Sequence, residues 1–267
     1  MDNPPSVALT IAGSDSGGGA GIQADLKTFH SFGVFGCSAL TAVTAQNTVG
    51  VIAVQPVSEE LVSAQIRAVA TDLPPDAVKT GMLATTSLVE TVADAIRDHE
   101  LPNFVLDPVM VSTSGYRLIA DDPVDVIRRR LLPLAAVVTP NLYEAQILSG
   151  RSITRREDFH DAARALLDLG AEAALVKGGH LKGNEAVDLL LTSDGEHIWS
   201  RPYLDTRAGH GTGCTLSAAV AAGLATGRTL LEAADEAIDY VARALADSPP
   251  LGAGHQPINH FVPTRRW

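Results

Sequence analysis

The chain has 267 residues, 46% of them hydrophobic and 19% charged, with a formal net charge of −11. That apolar content supports a full α/β core, while the negative balance excludes a basic face for non-specific nucleic-acid binding. No run approaches the roughly 18 uninterrupted apolar residues of a membrane helix. Met1-Asp2-Asn3-Pro4-Pro5 lacks a basic-then-apolar leader, and Cys37 and Cys214 provide no disulfide framework, so a cytoplasmic protein is expected.

Val7–Ala12 is a short apolar run of buried-strand type, ended by Gly13. The glycine-rich stretch 14–21 follows, and then residues 22–29 place Ile22, Leu26 and Phe29 on one helical face. Strand, glycine loop and helix form a common start of a ligand-binding α/β unit. The loop lacks the Gly-Lys-Ser/Thr of a P-loop and the register of a dinucleotide fingerprint. A flexible surface turn is its plain alternative.

Residues 38–45 form a second apolar run leading into Gln46-Asn47-Thr48, and 58–73 read as a helix with Leu61, Ile66 and Val69 inward. A strand at 77–79 ends in Thr80-Gly81-Met82-Leu83, and Ser87 with Glu90 reads as a capping box for a helix to about Arg97. A strand at 104–106 ends in Asp107-Pro108-Val109-Met110. A helix at 123–131 and a strand at 136–138 lead to Thr139-Pro140-Asn141, where the next helix starts. A helix at 158–169 precedes a strand at 174–177 and Gly178-Gly179-His180. Strands at 187–191 and 197–199 form a hairpin about Asp194-Gly195. Helices at 215–225 and 230–245 follow, and the Pro- and Gly-rich tail after Ala246 is expected to be irregular. Alternating strands and helices imply a mostly parallel sheet covered on both faces, in one domain spanning residues 1–267.

Gly211-Thr212-Gly213-Cys214 opens a helix of small apolar residues, so free backbone N–H groups and the helix dipole converge on one point. Such a turn suits phosphate or a developing oxyanion, and the same field favours a Cys214 thiolate. A tight glycine turn with a packed cysteine is the alternative. Ligands of open α/β sheets bind beyond the carboxyl ends of the strands. That edge carries residues 13–21, Gln46-Asn47-Thr48, Met82, Asp107, Asn141 with Glu144, Lys177 and the Gly211–Cys214 turn. Two carboxylates, a lysine and an anion site suit Mg²⁺-assisted phosphoryl transfer. Each also has an ordinary reading: Asn141 and Glu144 as a helix cap, Asp107 as a strand terminator, Lys177 as a loop charge, Met82 as a wall, and His210 as a solvated turn residue.

The pieces at residues 12–25, Thr44-Ala45-Gln46-Asn47-Thr48, Lys79-Thr80-Gly81-Met82, Asp107-Pro108-Val109-Met110, Thr139-Pro140-Asn141, Lys177-Gly178-Gly179-His180 and Gly211-Thr212-Gly213-Cys214-Thr215 recur together in one family. With them the chain resembles the ribokinase-like superfamily and, within it, the hydroxymethylpyrimidine/phosphomethylpyrimidine kinases of thiamine biosynthesis. The resemblance covers essentially the whole chain and implies a three-layer α/β/α fold. It implies two ATP-dependent phosphorylations, of 4-amino-5-hydroxymethyl-2-methylpyrimidine and then of its monophosphate, with Mg²⁺. It also implies small-molecule substrates, no nucleic-acid or membrane partner, and a homodimer.

By the same resemblance, Gln46 hydrogen-bonds the aminopyrimidine, Met82 and Val109 line its pocket, and Gly13 and Asp25 lie beside it. Asp107 and Glu144 fall where the superfamily handles Mg²⁺, and Asn141, Lys177 and Thr212 where it meets nucleotide phosphates. Gly211, Thr212 and Gly213 cradle the transferring group, and Cys214 stands where most members carry an aspartate base. Two positions depart from the family pattern: Ala208-Gly209 replaces Asn-Thr, and 112–116 lack a lysine often found after the aspartate. A pyridoxine or pyridoxal kinase is the nearest alternative. A Cys214–His210 acyltransferase or hydrolase is a remote one, because both groups sit on one turn without an orienting acid.

Overall fold

An eight-stranded sheet flanked by helices organises the computed structural model, which describes residues 4–264 apart from 111–123, 180–184, 205 and 207. In chain order come β1 (Val7–Ala12), α1 (Gly21–Ser31), β2 (Phe35–Leu40), β3 (Ala42–Gln46), β4 (Val51–Pro56), α2 (Glu59–Asp72), β5 (Ala77–Thr80), α3 (Thr86–Asp98) and β6 (Phe104–Leu106). After them lie a short helix α4 (Val124–Val126) running into a π-helical turn (Ile127–Leu131), then β7 (Val137–Val138), α5 (Leu142–Ser149), α6 (Asp158–Asp168) and β8 (Ala174–Lys177). The chain closes with β9 (Glu185–Thr192), β10 (Gly195–Pro202), β11 (Ala208–His210), α7 (Thr212–Ala225), α8 (Leu230–Ala246) and β12 (Gln256–Pro257).

The sheet order is β10-β9-β8-β7-β6-β5-β1-β2, parallel from β2 to β8 and antiparallel at β8-β9-β10. Strand side chains alternate between its faces. Ile11, Val78, Leu106, Val138 and Val176 pack with α2, α3, α5 and α6, while Ala8, Val105, Val137 and Leu175 pack with α7 and α8. This is the expected three-layer α/β/α arrangement. The carboxyl ends of β1, β5, β6, β7 and β8 therefore share one edge, delivering Gly13, Gly81, Asp107, Asn141 and Lys177 to it. Helix α7 is almost wholly buried, and its alanines and Gly223 let α8 approach closely. Among the described residues no helix is long and apolar enough to cross a membrane.

Several local expectations change. The run 38–45 divides at Thr41 into β2, in the main sheet, and β3, which pairs antiparallel with β4 as a separate hairpin. Thr85, not Ser87, caps α3, accepting from the Leu88 N–H, while the Ser87 hydroxyl donates to Glu59. Leu61 is exposed and Val62 takes its inward place beside Ile66. The segment 123–131 holds one α-helical turn and a π turn rather than a regular helix, and Pro123 lies outside the described residues. The hairpin strands are longer than read, Glu185–Thr192 and Gly195–Pro202. The tail is not merely irregular. Gln256 and Pro257 pair with β11, the His260 carbonyl accepts from Tyr240, and His260 Nε2 lies 2.9 Å from Thr215 Oγ1.

Candidate functional site

Helices α2, α3, α5 and α8 are each closed by a Ser, Thr or Asn side chain, whereas α1 and α7 carry no side-chain cap and begin in glycine-rich turns. The first N–H groups of α7 are thus left for another acceptor, with no acid in its first turn to compete with an anion, whereas at α1 the Ala20 N–H goes to Asp15 and the Ile22 N–H to the Gly13 carbonyl. Gly211 precedes α7 at φ +87°, a conformation that favours glycine, and its backbone touches that of Gly19. A side chain at either glycine would separate the two loops.

Asp15 ties the first loop together. Its carboxylate accepts from the N–H groups of Gly17, Gly19 and Ala20 and lies 2.7 Å from His210 Nε2. Burial alone would raise the acid, but the His210 hydrogen bond and charge outweigh it and keep Asp15 below its usual range. His210 is therefore buried and paired, contrary to the solvated turn residue expected. The Gln46 amide lies 3.4 Å from the same ring nitrogen. The loop is accordingly an ordered cradle rather than a loose surface turn.

A second cluster surrounds Asp107. Lys177 Nζ lies 3.2 Å from Asp107 Oδ1, and Ser217 donates to Oδ2 at 3.1 Å. The lysine ammonium also stands over Gly213, at the mouth of α7. Burial opposes its charge, but Asp107 and Glu144 outweigh that and hold Lys177 above the ordinary ammonium value. Asn141 and Glu144 do form a reciprocal capping box, with Glu144 Oε2 accepting from the Asn141 N–H at 2.9 Å. Glu144 is nevertheless 3% exposed, and burial with the Asp107 charge pushes it up to about 7 against the pull of Lys177. A buried acid so poorly compensated suits a cation. Two hard carboxylates are what Mg²⁺ needs alongside phosphate oxygens and water, so the donor set fits that ion. Among the described residues no group of three His, Cys, Asp or Glu forms a complete protein cage.

Beneath Cys214 lies a third group. Lys79 makes bonds of 2.9 and 3.0 Å to Asp25, whose Oδ2 also accepts from Thr10 at 2.6 Å. Both ionic partners are fully buried, so Asp25 is part of the floor rather than the open wall. Burial pushes the Cys214 thiol up to about 11, although Lys79 and the Gly21 N–H favour the thiolate. The thiolate expected from the helix mouth is thus opposed by desolvation, and the thiol form prevails at neutral pH.

Met82 is buried against Gly13, where a Cβ would collide with its methyl group, and its carbonyl accepts from Thr41. Val109 lines a small cavity with Gly81, Leu83 and Asp107. The positions 112–116 and His180 lie outside the described residues. The sequence assigns no role to Asp15, Lys79 or Ser217 and reads His210 as a solvated turn residue. The one usable signal was Lys79 itself, a lysine inside the apolar run Ala77-Val78-Lys79-Thr80.

The sequence profile of the phosphomethylpyrimidine kinase family matches residues 15–259. The chain is 52% identical to a hydroxymethylpyrimidine/phosphomethylpyrimidine kinase of Rhizobium meliloti (strain 1021), over 98% of each sequence. Among solved structures it is similar to the phosphomethylpyrimidine kinase of Clostridium difficile 630, with a TM-score of 0.81, 40% identity and coverage of 90% of this chain and 99% of that one. It is also similar to the pyridoxal kinase of Staphylococcus aureus in complex with AMP-PCP and pyridoxal, with a TM-score of 0.89, 33% identity and coverage of 97% and 94%.

Proposed function

The chain belongs to the phosphomethylpyrimidine kinase family, and from that premise we propose how its residues divide the work of phosphorylating the hydroxymethylpyrimidine of thiamine biosynthesis and then its monophosphate. The whole chain acts as one catalytic unit, in the cytoplasm, with ATP as phosphoryl donor. The observation that carries this reading is the uncapped N-terminus of α7 with Lys177 over Gly213. Few other ligands than a phosphoryl group call for that concentration of donors.

Gln46, Gly13, Met82 and Val109 form the pyrimidine side, with Asp25 holding Lys79 beneath. The N–H groups of Gly211, Thr212 and Gly213 receive the transferring phosphoryl oxygens, and the Thr212 hydroxyl, which donates to the Gly209 carbonyl, keeps that turn closed. Lys177 offsets charge at the same mouth, and Asn141 faces the nucleotide side. Asp107 and Glu144 would hold Mg²⁺, which supplies neutralisation of phosphate charge when bound. Cys214 accepts the proton of the substrate hydroxyl through its small thiolate fraction. In the second phosphorylation the nucleophile is a phosphate oxygen that is already anionic, so no base is needed there.

A homodimer through the β3–β4 hairpin belongs to the same proposal. Val43 and Ile52 on that hairpin are 51% and 78% exposed, which supports burial against a second copy. Sedimentation equilibrium tests it, and a monomer at micromolar concentration refutes it. The structural likeness to pyridoxal kinase supports a second, slower activity on pyridoxal. One assay tests the main reading: ATP consumption with hydroxymethylpyrimidine, its monophosphate or pyridoxal, with and without Mg²⁺. Turnover is expected to be fastest on the pyrimidines and to require Mg²⁺; no turnover on either pyrimidine refutes it.

A further inference from the structure

His210 has a use that phosphoryl transfer does not account for. Asp15 is ionised and its oxygens can only accept, so the 2.7 Å contact requires His210 Nε2 to carry the proton and donate it. The same nitrogen lies 3.4 Å from the Gln46 amide Nε2. A protonated ring nitrogen has no lone pair left for an amide N–H. Of the two ends of the Gln46 amide, its carbonyl Oε1 is therefore the one suited to this contact, as second acceptor of a shared N–H. A half-turn of the amide places it there without moving the backbone.

That backbone is already fixed. Ser16 Oγ donates to the Gln46 carbonyl and accepts from the Gln46 N–H, both at 2.7 Å. With the backbone held, the orientation of the side-chain amide is left to its neighbours. His210 in turn is held by Asp15 and by close approach to Gly19, whose missing side chain leaves room for the ring. His210 also ends β11, next to Gly211.

We propose that His210 is a positioning residue that locks the Gln46 amide with its carbonyl toward the imidazole, leaving the NH₂ end to donate to a ring nitrogen of the substrate. The proposal rests on the reading of Gln46 as a substrate contact. It assigns the polarity of recognition: at this point the site demands a hydrogen-bond acceptor from the ring, and a ring offering only a donor there is rejected.

A double-mutant cycle on the full-length protein tests it, with steady-state KM for hydroxymethylpyrimidine and for ATP as separate readouts. His210→Ala frees the amide and is expected to raise the pyrimidine KM by about tenfold, the worth of one hydrogen bond, with the ATP KM unchanged. His210→Gln, which returns an N–H near the Nε2 position and preserves the partner of Asp15, is expected to restore most of that loss. In a Gln46→Ala background, His210→Ala is expected to add nothing further to the pyrimidine KM. Full additivity of the two substitutions overturns the proposal while leaving Gln46 as a contact. An unchanged pyrimidine KM in Gln46→Ala alone overturns the Gln46 reading and the proposal with it. A loss confined to kcat or to the ATP KM assigns His210 to the phosphate turn instead and also overturns the proposal.

Discussion

Substituting Gly211 by alanine probes the seam between the two glycine loops. A Cβ at this position would fall 1.8 Å from the Gly19 carbonyl oxygen, whereas real Cβ contacts start at 3.0 Å, so the loops must part by about 1.2 Å. The obstruction is backbone, not the end of a flexible side chain, and cannot rotate away. Holding alanine at φ +87° adds strain of about 1–2 kcal/mol. In a chain of this size that corresponds to a melting-temperature loss of about 2–8 °C. The kinetic effect is larger. A misplacement of about 1 Å between reacting groups costs on the order of 100-fold in rate, and the parted loops carry the N–H groups assigned to the phosphoryl group on one side and the Gly21 N–H on the other. Both phosphorylations are expected to slow about 100-fold in single-turnover assays at saturating ATP. Gly209→Ala supplies the control, because a Cβ there meets nothing within 4 Å. A Gly211→Ala enzyme within threefold of the wild-type rate, or a Gly209→Ala enzyme equally impaired, refutes the reasoning.

Cys214→Ala is expected to impair the first phosphorylation more than the second. With the thiol pushed up to about 11 by burial, the first step should also speed up with rising pH through the range below that value, a slope that Cys214→Ala removes and that the second step lacks. Equal losses on both substrates would contradict the base role. Lys79→Met leaves Asp25 buried without its cation and is expected to cost about 3–5 kcal/mol in urea unfolding, with Asp25→Asn in the same chain recovering part of it. No recovery would show that the pair is not the source of the loss. Glu144 titrates higher in the folded protein, up to about 7, than its ordinary 4.5, so the folded state holds its proton more tightly. Its contribution to stability is full below about 4.5 and is lost as pH rises through 7. Without nucleotide or Mg²⁺, Glu144→Gln is therefore expected to gain on the wild type in thermal stability between pH 5 and 7.5, roughly the window set by those two values. A constant difference across that range would refute it.

Much of the fold was written locally. Short hydrophobic runs bounded by turns, alternating with helical faces, identify buried parallel strands because both faces of such strands are covered. That alternation alone brings Gly13, Asp107, Asn141 and Lys177 to one edge, since every parallel strand must end on the same side of the sheet. The uncapped turn Gly211-Thr212-Gly213 was legible for the same reason: a helix start is a local object, and its missing cap is visible in the residue types.

What required the folded chain was everything set by approach between distant segments. His210 reads as a polar turn residue until Asp15, 195 positions earlier, is found against it. Lys79 reads as an oddity in a strand until Asp25 neutralises it, and Cys214 reads as an activated thiol until the packing around its half-buried side chain favours the neutral form. Desolvation and charge pairing depend on what lies within a few ångströms in space, not on sequence separation, so they acquire a sign only when the core has closed. The sequence by itself determined that a glycine turn opening a buried helix lies at the carboxyl edge of a parallel sheet. The tertiary structure decided that this turn is held against the first glycine loop by a buried aspartate–histidine pair, because only packing brings two glycine backbones close enough for one carboxylate to order both.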